Sequence, residues 1–311
     1  MTHSQNGAAE MKYVRYPTKL ADIMRSLAKH ETDVKQYFLA ELKPRITAVN
    51  DHQEKLVKLF ALANADRLGT GEQNEDLVKA TATFREYLSQ DIISKLAPMQ
   101  PRDAHQHLLG LLCDIKGMDQ KTANLFLKLA VISHADLNLG GIDWRSWEPY
   151  LHVPLDLWVL RLIGKDYLRA CGDNFEADFQ YKGKYSSPSL KTDKYTQLQD
   201  DIKEVAASVD LFPILLDSLW FVGSHYCSYH PLLCDICWLG EYCAKYQTVD
   251  WNKVPTTLKS AQRQTYKQNL KAFREIKHIW KIENPGKTDG DFYEFMDKPE
   301  GRQWLDKFFK E

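Results

Sequence analysis

Apolar residues recur every three or four positions along most of this chain, and few runs alternate in the way that strands do. This period is typical of amphipathic helices. It is clearest over residues 19–30, 34–65 and 77–97, which read KLADIMRSLAKH, VKQYFLAELKPRITAVNDHQEKLVKLFALANA and LVKATATFREYLSQDIISKLA. Breaks in the pattern fall at 67–76, 97–105, 134–154 and 172–195. The pattern predicts an all-α protein, and the last two breaks are long enough to suggest functional loops.

Size and composition narrow the class of protein. The chain has 311 residues, of which 44% are hydrophobic and 27% charged, with a net charge of -1. These values are typical of a soluble protein of one or two domains. The sequence has no apolar run long enough to cross a bilayer and no signal-peptide pattern at its N-terminus. We expect no membrane partner, a monomer, and a location in the cytoplasm (associated with a bacterial-type nucleoid) or in a nucleus rather than secretion.

One C-terminal segment carries a stripe of basic residues. On a helical wheel, six cations share one face of residues 261–281: Arg263, Lys267, Lys271, Arg274, Lys277 and Lys281. Such a stripe indicates either an ordinary solvated helix or a surface that follows a phosphate backbone. The sequence alone leaves both interpretations open.

Four of the six cysteines lie within seventeen residues, CSYHPLLCDICWLGEYC, from Cys227 through Cys234 and Cys237 to Cys243. In a reducing compartment such a group favours a metal site over disulfides. Zinc sites with four cysteines usually consist of two close pairs, and this segment has one. The alternative is a [4Fe-4S] cluster.

The spacing C-x6-C-x2-C-x5-C resembles the iron–sulfur loop of the endonuclease III family of DNA glycosylases. The preceding LWFVGSHYC, with Gly223 four residues before Cys227, is similar to that family's apolar helix end. The resemblance implies a [4Fe-4S] cluster on the four cysteines, with zinc as the alternative. In the family the first inter-cysteine segment commonly carries cations that meet DNA, whereas SYHPLL offers only His230.

A second motif of that family lies upstream, in DIKGMDQKTANLFLKLAV at residues 114–131. It resembles the glycine hairpin between two helices, and KTAN matches the family outright. The resemblance implies that Lys121 is the nucleophile of enzymes that remove a base and nick the strand. It also implies phosphate contacts from Lys116, Gly117, Gln120 and Thr122, because helix N-termini and hairpin N–H groups bind anions. Taken alone, Lys121 would be a surface lysine at a helix start, and Asp119 stands where the family has glycine.

The third motif is HVPLDLWVLRLIG at residues 152–164. It resembles the family's segment with a catalytic aspartate, which places Asp156 at the start of a helix. Such a residue is also a plain N-cap, and the two roles are compatible. Trp158 stands where the family has histidine, and it is expected either near the pocket or in the core.

Lys121 and Asp156 stand farther apart than in the family, which implies an insertion around residues 132–152. This segment carries Trp144, Arg145 and Trp147. Two interpretations remain: altered base recognition, or a surface excursion with buried tryptophans.

The resemblance implies a two-lobed, all-α helix-hairpin-helix DNA glycosylase fold with a C-terminal [4Fe-4S] loop. We expect residues 1–10 to be disordered, and residues 11–54 to form helices that pack with the cluster lobe. Residues 55–170 would form the hairpin lobe, 171–250 the cluster lobe with its loop at 227–243, and 251–311 a basic helical extension with DNA contacts at Arg263, Lys267, Lys271 and Arg274.

The implied activity is that of a base-excision DNA glycosylase with AP lyase activity. Lys121, assisted by Asp156, would act on a flipped, damaged or modified base in double-stranded DNA. Two alternatives come from other classes: a noncatalytic DNA-binding iron–sulfur protein, and a glycosylase-fold enzyme that acts on RNA or a modified nucleoside.

Overall fold

The computed structural model describes residues 12–68, 75–179, 192–227, 234, 237–249 and 279–287, together with 291–292, 295, 298, 300–301 and 303–304. Within these ranges the chain is mostly helical, and the strand-like pairing is limited to an isolated bridge between Val14 and Cys171. This confirms the prediction of an all-α protein. The expectations for residues 1–10 and for the basic stripe up to Lys277 lie outside the described residues.

The first part of the chain forms α1 (Pro17–Ala28), α2 (Glu31–Ile46), α3 (His52–Leu68), α4 (Glu75–Ser89), α5 (Ile92–Leu96), α6 (Pro101–Asp114) and α7 (Gln120–Leu137). Then follow the 3-10 helix η1 (Trp144–Tyr150), α8 (Leu157–Ile163), α9 (Asp173–Asp178), α10 (Thr192–Ser208), the 3-10 helix η2 (Pro213–Asp217), α11 (Ser218–His225), a 3-10 turn at Gly240–Tyr242 and α12 (Ala244–Gln247).

The two longest periodic runs each contain a break that the periodicity did not reveal. The run 34–65 is divided between α2 and α3, and Pro44 lies in the last turn of α2. Proline lacks an N–H donor and so removes one hydrogen bond to the preceding turn, which weakens the last turn of α2, although the helix continues to Ile46. The run 77–97 is divided where Asp91 adopts a left-handed conformation with φ of 61°.

Described residues group into two compact units. The first, called the hairpin unit, comprises residues 27–155 and 206–218. Its central element is α7, which contacts α2, α3, α6 and η1 and is buried on most of its surface. Beside it, the rings of Phe60, Phe84 and Phe126 pack with centroid distances of 4.5 to 5.6 Å. Burial on all sides explains why the sequence of α7 is apolar beyond a single stripe.

The second unit, called the cysteine unit, comprises the described residues within 1–26, 156–205 and 219–311. Its N-terminal segment is held by Asp201, whose carboxylate accepts hydrogen bonds from the backbone N–H groups of Tyr13 and Val14. The Tyr13 hydroxyl also donates to Asp178 over 2.7 Å. These bonds satisfy backbone donors that would otherwise be buried without partners.

Candidate active site and metal centre

A five-residue hairpin connects α6 to α7. Its turn is closed by the N–H of Met118, which donates to the carbonyl of Ile115 over 3.0 Å. Gly117 has a φ of +89°, a conformation that residues with a Cβ rarely adopt. The segment therefore folds as two helices joined by a glycine turn, with Lys116 and Gly117 exposed at its tip.

Asp119 is the N-cap of α7. One carboxylate oxygen accepts from the Thr122 N–H over 2.7 Å and from the Thr122 hydroxyl over 2.6 Å. The carboxylate also compensates the positive end of the helix dipole. The Thr122 N–H, which could otherwise bind an external phosphate, thus already donates to Asp119. Thr122 is also buried.

The first turn of α7 also carries Lys121 and Gln120, both half-buried. Gln120 Oε1 is buried and, among the described residues, receives no hydrogen bond. Sequence and structure agree that Lys121 follows the hairpin directly at the start of a helix.

Asp156 is the N-cap of α8. Its carboxylate accepts from the Val159 N–H over 2.7 Å, and its backbone is extended, with φ of -84° and ψ of 178°. Asp156 is half-buried, while Val153 and Pro154 before it are buried. Hydrogen bonding at a helix N-terminus favours the ionised carboxylate. Asp156 belongs to the cysteine unit and Lys121 to the hairpin unit.

Trp158 fills the core of the cysteine unit. Only 8% of it is exposed, and its ring lies against Gly223 in α11, so closely that a Cβ added there would meet Trp158 atoms at 2.4 Å. The Arg161 guanidinium lies 5.4 Å from the Trp158 ring centroid. Gly223 thus lets α11, which leads to Cys227, pack directly against the helix that Asp156 caps.

Cys227, Cys234, Cys237 and Cys243 line one cavity of the cysteine unit. All four are free thiols, with Cys234 and Cys243 buried and the other two half-buried. The structure therefore brings together the four cysteines that the spacing grouped. No three described His, Cys, Asp or Glu side chains are placed to hold a single metal ion.

The environment opposes ionisation of these thiols. Burial, followed by the other three cysteines, raises the pKa of Cys227 well above its usual value. Burial raises the pKa of Cys237 to about 12, against a hydrogen bond from the Leu239 backbone that lowers it. Thiolates are the species that bind metals, and a bound metal is what ionises a coordinating thiol outright.

Tyr167, Tyr226, Lys245 and Tyr246 also line the cavity. Lys245 Nζ lies 4.3 Å from the Tyr167 ring centroid and donates to the Tyr167 hydroxyl over 3.1 Å. Its positive charge lowers the pKa of Cys227, although burial outweighs this effect. The cavity therefore has a fixed cation beside its sulfur atoms.

Gly240 makes a tight contact in the same wall of the cavity. A Cβ there would lie 3.2 Å from both the Cys234 carbonyl oxygen and the Tyr246 ring. A larger residue would push on the segment that positions Cys234.

Trp144 and Trp147, between α7 and α8, are core residues of the hairpin unit, each 1% exposed. Their ring centroids are 5.1 Å apart, and Trp144 Nε1 donates to the Gly140 carbonyl over 3.2 Å. Buried tryptophans are therefore the interpretation that holds for these two residues. Arg145 and Glu148 instead line a cavity of the same unit.

The structure also contains a buried ion pair that sequence reasoning missed. Lys128 in α7 is paired with Asp217 in η2, and each side chain is 5% exposed. A lysine within the apolar run LFLKLAV was a signal that it needed an internal partner, but the sequence could not identify a carboxylate 89 positions away.

The remaining predicted DNA contacts, Arg263, Lys267, Lys271 and Arg274, lie outside the described residues. Among described residues no single helix is long and apolar enough to span a membrane, although the bent pair Asp193–Ser208 and Pro213–His225 reaches that length and hydropathy together. Comparison of the chain with protein-family models, curated proteins and solved structures finds no match in any of the three.

Proposed function

We propose that this protein is a helix-hairpin-helix DNA glycosylase with AP lyase activity and a [4Fe-4S] cluster. The observation that carries the proposal is that three motifs in one chain each have the local geometry that their role requires. Lys121 lies in the first turn of the helix after a glycine hairpin, Asp156 caps a helix, and four cysteines share a cavity.

In the proposed reaction, neutral Lys121 attacks the anomeric carbon of a nucleotide flipped out of duplex DNA. A bond forms from Lys121 Nζ to that carbon as the glycosidic bond breaks, and the base leaves with the bonding electron pair and takes up a proton. The ionised Asp156 carboxylate stabilises the positive charge that develops on the sugar. The cap hydrogen bond from Val159 keeps this carboxylate in place.

The lyase step follows from the same covalent bond. Loss of the proton from Lys121 Nζ and opening of the sugar give an imine between the lysine and the sugar. Removal of a proton from the adjacent sugar carbon then expels the 3′ phosphate, and water releases the lysine. The proposed reaction requires Lys121 and Asp156 to act on one nucleotide.

We propose a [4Fe-4S] cluster rather than one zinc ion because the segment contains a single close pair, Cys234 and Cys237, whereas zinc sites with four cysteines usually have two. That all four cysteines line one cavity supports a shared ligand group. When bound, the cluster would cross-link the chain from Cys227 to Cys243 and so support the helix packing around Asp156.

Phosphate binding at the hairpin would differ from that of the family it resembles. Because the Asp119 carboxylate occupies the Thr122 N–H, the exposed Lys116 is the better candidate for holding a phosphate. A cation at the hairpin tip can offset the repulsion between phosphate and Asp119.

Borohydride trapping tests the proposal. The protein is incubated with duplexes that carry single oxidised, deaminated, alkylated or hypermodified bases, and covalent adducts are counted on denaturing gels. At least one duplex should give an adduct that Lys121→Gln abolishes. Asp156→Asn should keep its cap but lose most of the rate, and Lys95→Gln, an exposed lysine of α5, is the matched control.

The absence of an adduct with every duplex, or an adduct that survives Lys121→Gln, would overturn the lyase assignment. Tight duplex binding without an adduct would instead favour noncatalytic DNA binding, a candidate that the cap at Asp119 supports.

The cluster has its own test in the metal and sulfide content of the purified protein. Iron and acid-labile sulfide should be present in equal amounts and should be lost in Cys237→Ser. Cys113→Ser is the control, because Cys113 is a half-buried thiol outside the cavity. Zinc without iron would refute the cluster.

A further inference from the structure

The hairpin unit contains a cavity of about 360 Å³, separate from the four-cysteine cavity, which the proposed reaction does not use. This volume lies in the range of small-molecule sites. Its walls come from α2, α7, η1, η2 and the first residue of α11. The cavity therefore lies along α7, the helix whose first turn contains Lys121.

Apolar residues line the inner part of this cavity. Val34, Val131, Ile214 and Leu215 are buried there, with at most 7% of each exposed. They offer a surface on which an aliphatic group would lose contact with water, which favours binding of an apolar side chain.

Lys128, which forms the buried ion pair with Asp217, also lines the cavity. Lys128 Nζ also lies 4.9 Å from the Phe38 ring centroid. Because a buried ion pair is seldom a source of stability, its presence beside a cavity needs another explanation. A fixed cation and anion inside the wall keep that part of the cavity polar while the pair itself is neutral.

Charges of both signs stand around the mouth of the cavity. Glu31, Arg145 and Glu148 all line it, and among the described residues none of them is in an ion pair. Arg145 and Glu148 lie three positions apart in a 3-10 helix, a spacing that places both side chains on one side. Opposite charges so placed would be expected to pair with each other, but each instead faces the cavity.

Glu148 is affected by this arrangement. Burial and then the neighbouring Glu31 raise its pKa, while Arg145, His134 and Lys35 lower it. Lys35 is engaged elsewhere, because its Nζ is 3.0 Å from Asp136. A ligand cation between the two glutamates would relieve their repulsion, and a ligand anion would match Arg145.

We propose that this cavity binds a small zwitterion with an aliphatic body, of the α-amino acid class. The ligand carboxylate pairs with the Arg145 guanidinium, whose planar fork suits a bidentate contact. The ligand ammonium lies at Glu148 and Glu31, and the aliphatic side chain packs on Val131 and Ile214. This assignment goes beyond the proposed DNA chemistry and does not depend on it.

Isothermal titration of the full-length protein with L-leucine, L-valine and L-norleucine tests the proposal. Two analogues each remove one charge: leucinamide lacks the carboxylate and 4-methylpentanoate lacks the ammonium. At least one of the amino acids should bind. Each analogue should bind at least about tenfold more weakly than leucine, because one charged group of the protein is then left without its partner.

Variants assign the two charges to residues. Arg145→Gln should weaken amino-acid binding about tenfold but leave leucinamide unaffected, whereas Glu148→Gln should weaken amino-acid binding but leave 4-methylpentanoate unaffected. Matched controls are Arg102→Gln and Glu86→Gln, exposed residues of the same unit outside the cavity. The assignment would be overturned if none of the three amino acids binds, or if an analogue binds as tightly as leucine. Unchanged amino-acid binding in both cavity variants, or preferential binding of free nucleosides, would also overturn it.

Discussion

A single added methyl group at Gly223 should destabilise the cysteine unit. Gly223 is helical, and a Cβ there would lie 2.4 Å from Trp158 Cγ and Cδ2 and 2.6 Å from Trp158 Cβ. Carbon atoms in contact are normally about 3.5–4.0 Å apart, so one helix must move by roughly 1 Å. The clashing atoms include the stem of a buried side chain, which cannot swing aside.

The net effect is the difference of two opposing contributions. Alanine in place of a helical glycine gains about 1 kcal/mol of helix propensity. Overpacking a core typically costs 1–3 kcal/mol, and the short distances place this site near about 3 kcal/mol. Gly223→Ala should therefore lower the free energy of unfolding by about 2 kcal/mol, or Tm by roughly 4–8 °C for a unit of this size.

Gly110→Ala is the matched control, because Gly110 lies in α6 with no atom within 4 Å of an added Cβ. It should raise stability by about 0.5–1 kcal/mol. The assay is urea unfolding followed by far-UV circular dichroism, with iron content as a second readout for Gly223→Ala. Equal stabilisation by the two substitutions would refute the close approach of α8 and α11.

Four further predictions test the electrostatics of the two units. Asp119→Ala should cost about 1 kcal/mol of unfolding free energy through loss of the cap, whereas Asp119→Asn should cost much less; equal losses would contradict the cap. Lys128→Met alone should cost about 3–5 kcal/mol in urea unfolding because it leaves a buried carboxylate, and adding Asp217→Leu should recover most of that loss. Because its folded-state pKa is raised, Glu148 disfavours folding once it ionises. Glu148→Gln should stabilise the protein above the raised pKa, and the gain should vanish as pH falls below the usual carboxyl value; a gain that persists in acid would contradict this. Lys245→Gln should reduce the iron retained on purification while Lys245→Arg retains it, since the cation offsets thiolate charge; equal iron in both would contradict that role.

Local features of this fold could be read directly from the sequence. The buried face of α4, Leu77, Ala80, Phe84 and Leu88, follows the helical period, and Asp156 caps a helix as its position predicted. Asp119 could also have been identified as a cap, since an aspartate three positions before Thr122 is a common pattern. These features depend on neighbours a few positions away.

Contacts between segments far apart in the chain could not be predicted from the sequence. The sequence could not assign Asp217 to Lys128, or Gly223 to Trp158, because nothing in either neighbourhood encodes the partner. It also left open whether Trp144 and Trp147 were buried.

The sequence by itself determined that the chain is helical, and it singled out the four cysteines, Lys121 and Asp156 as the residues to examine. Helix period, capping and ligand spacing depend on residues a few positions apart, so they can be read from the sequence alone. Only the tertiary structure showed that the four cysteines share a cavity and that α7 is a buried central helix. It also showed that Trp144 and Trp147 lie in a core while Arg145 and Glu148, in the same 3-10 helix, line a charged cavity. Burial and charge pairing depend on which segments meet in space, and that is decided by the packing of the whole chain.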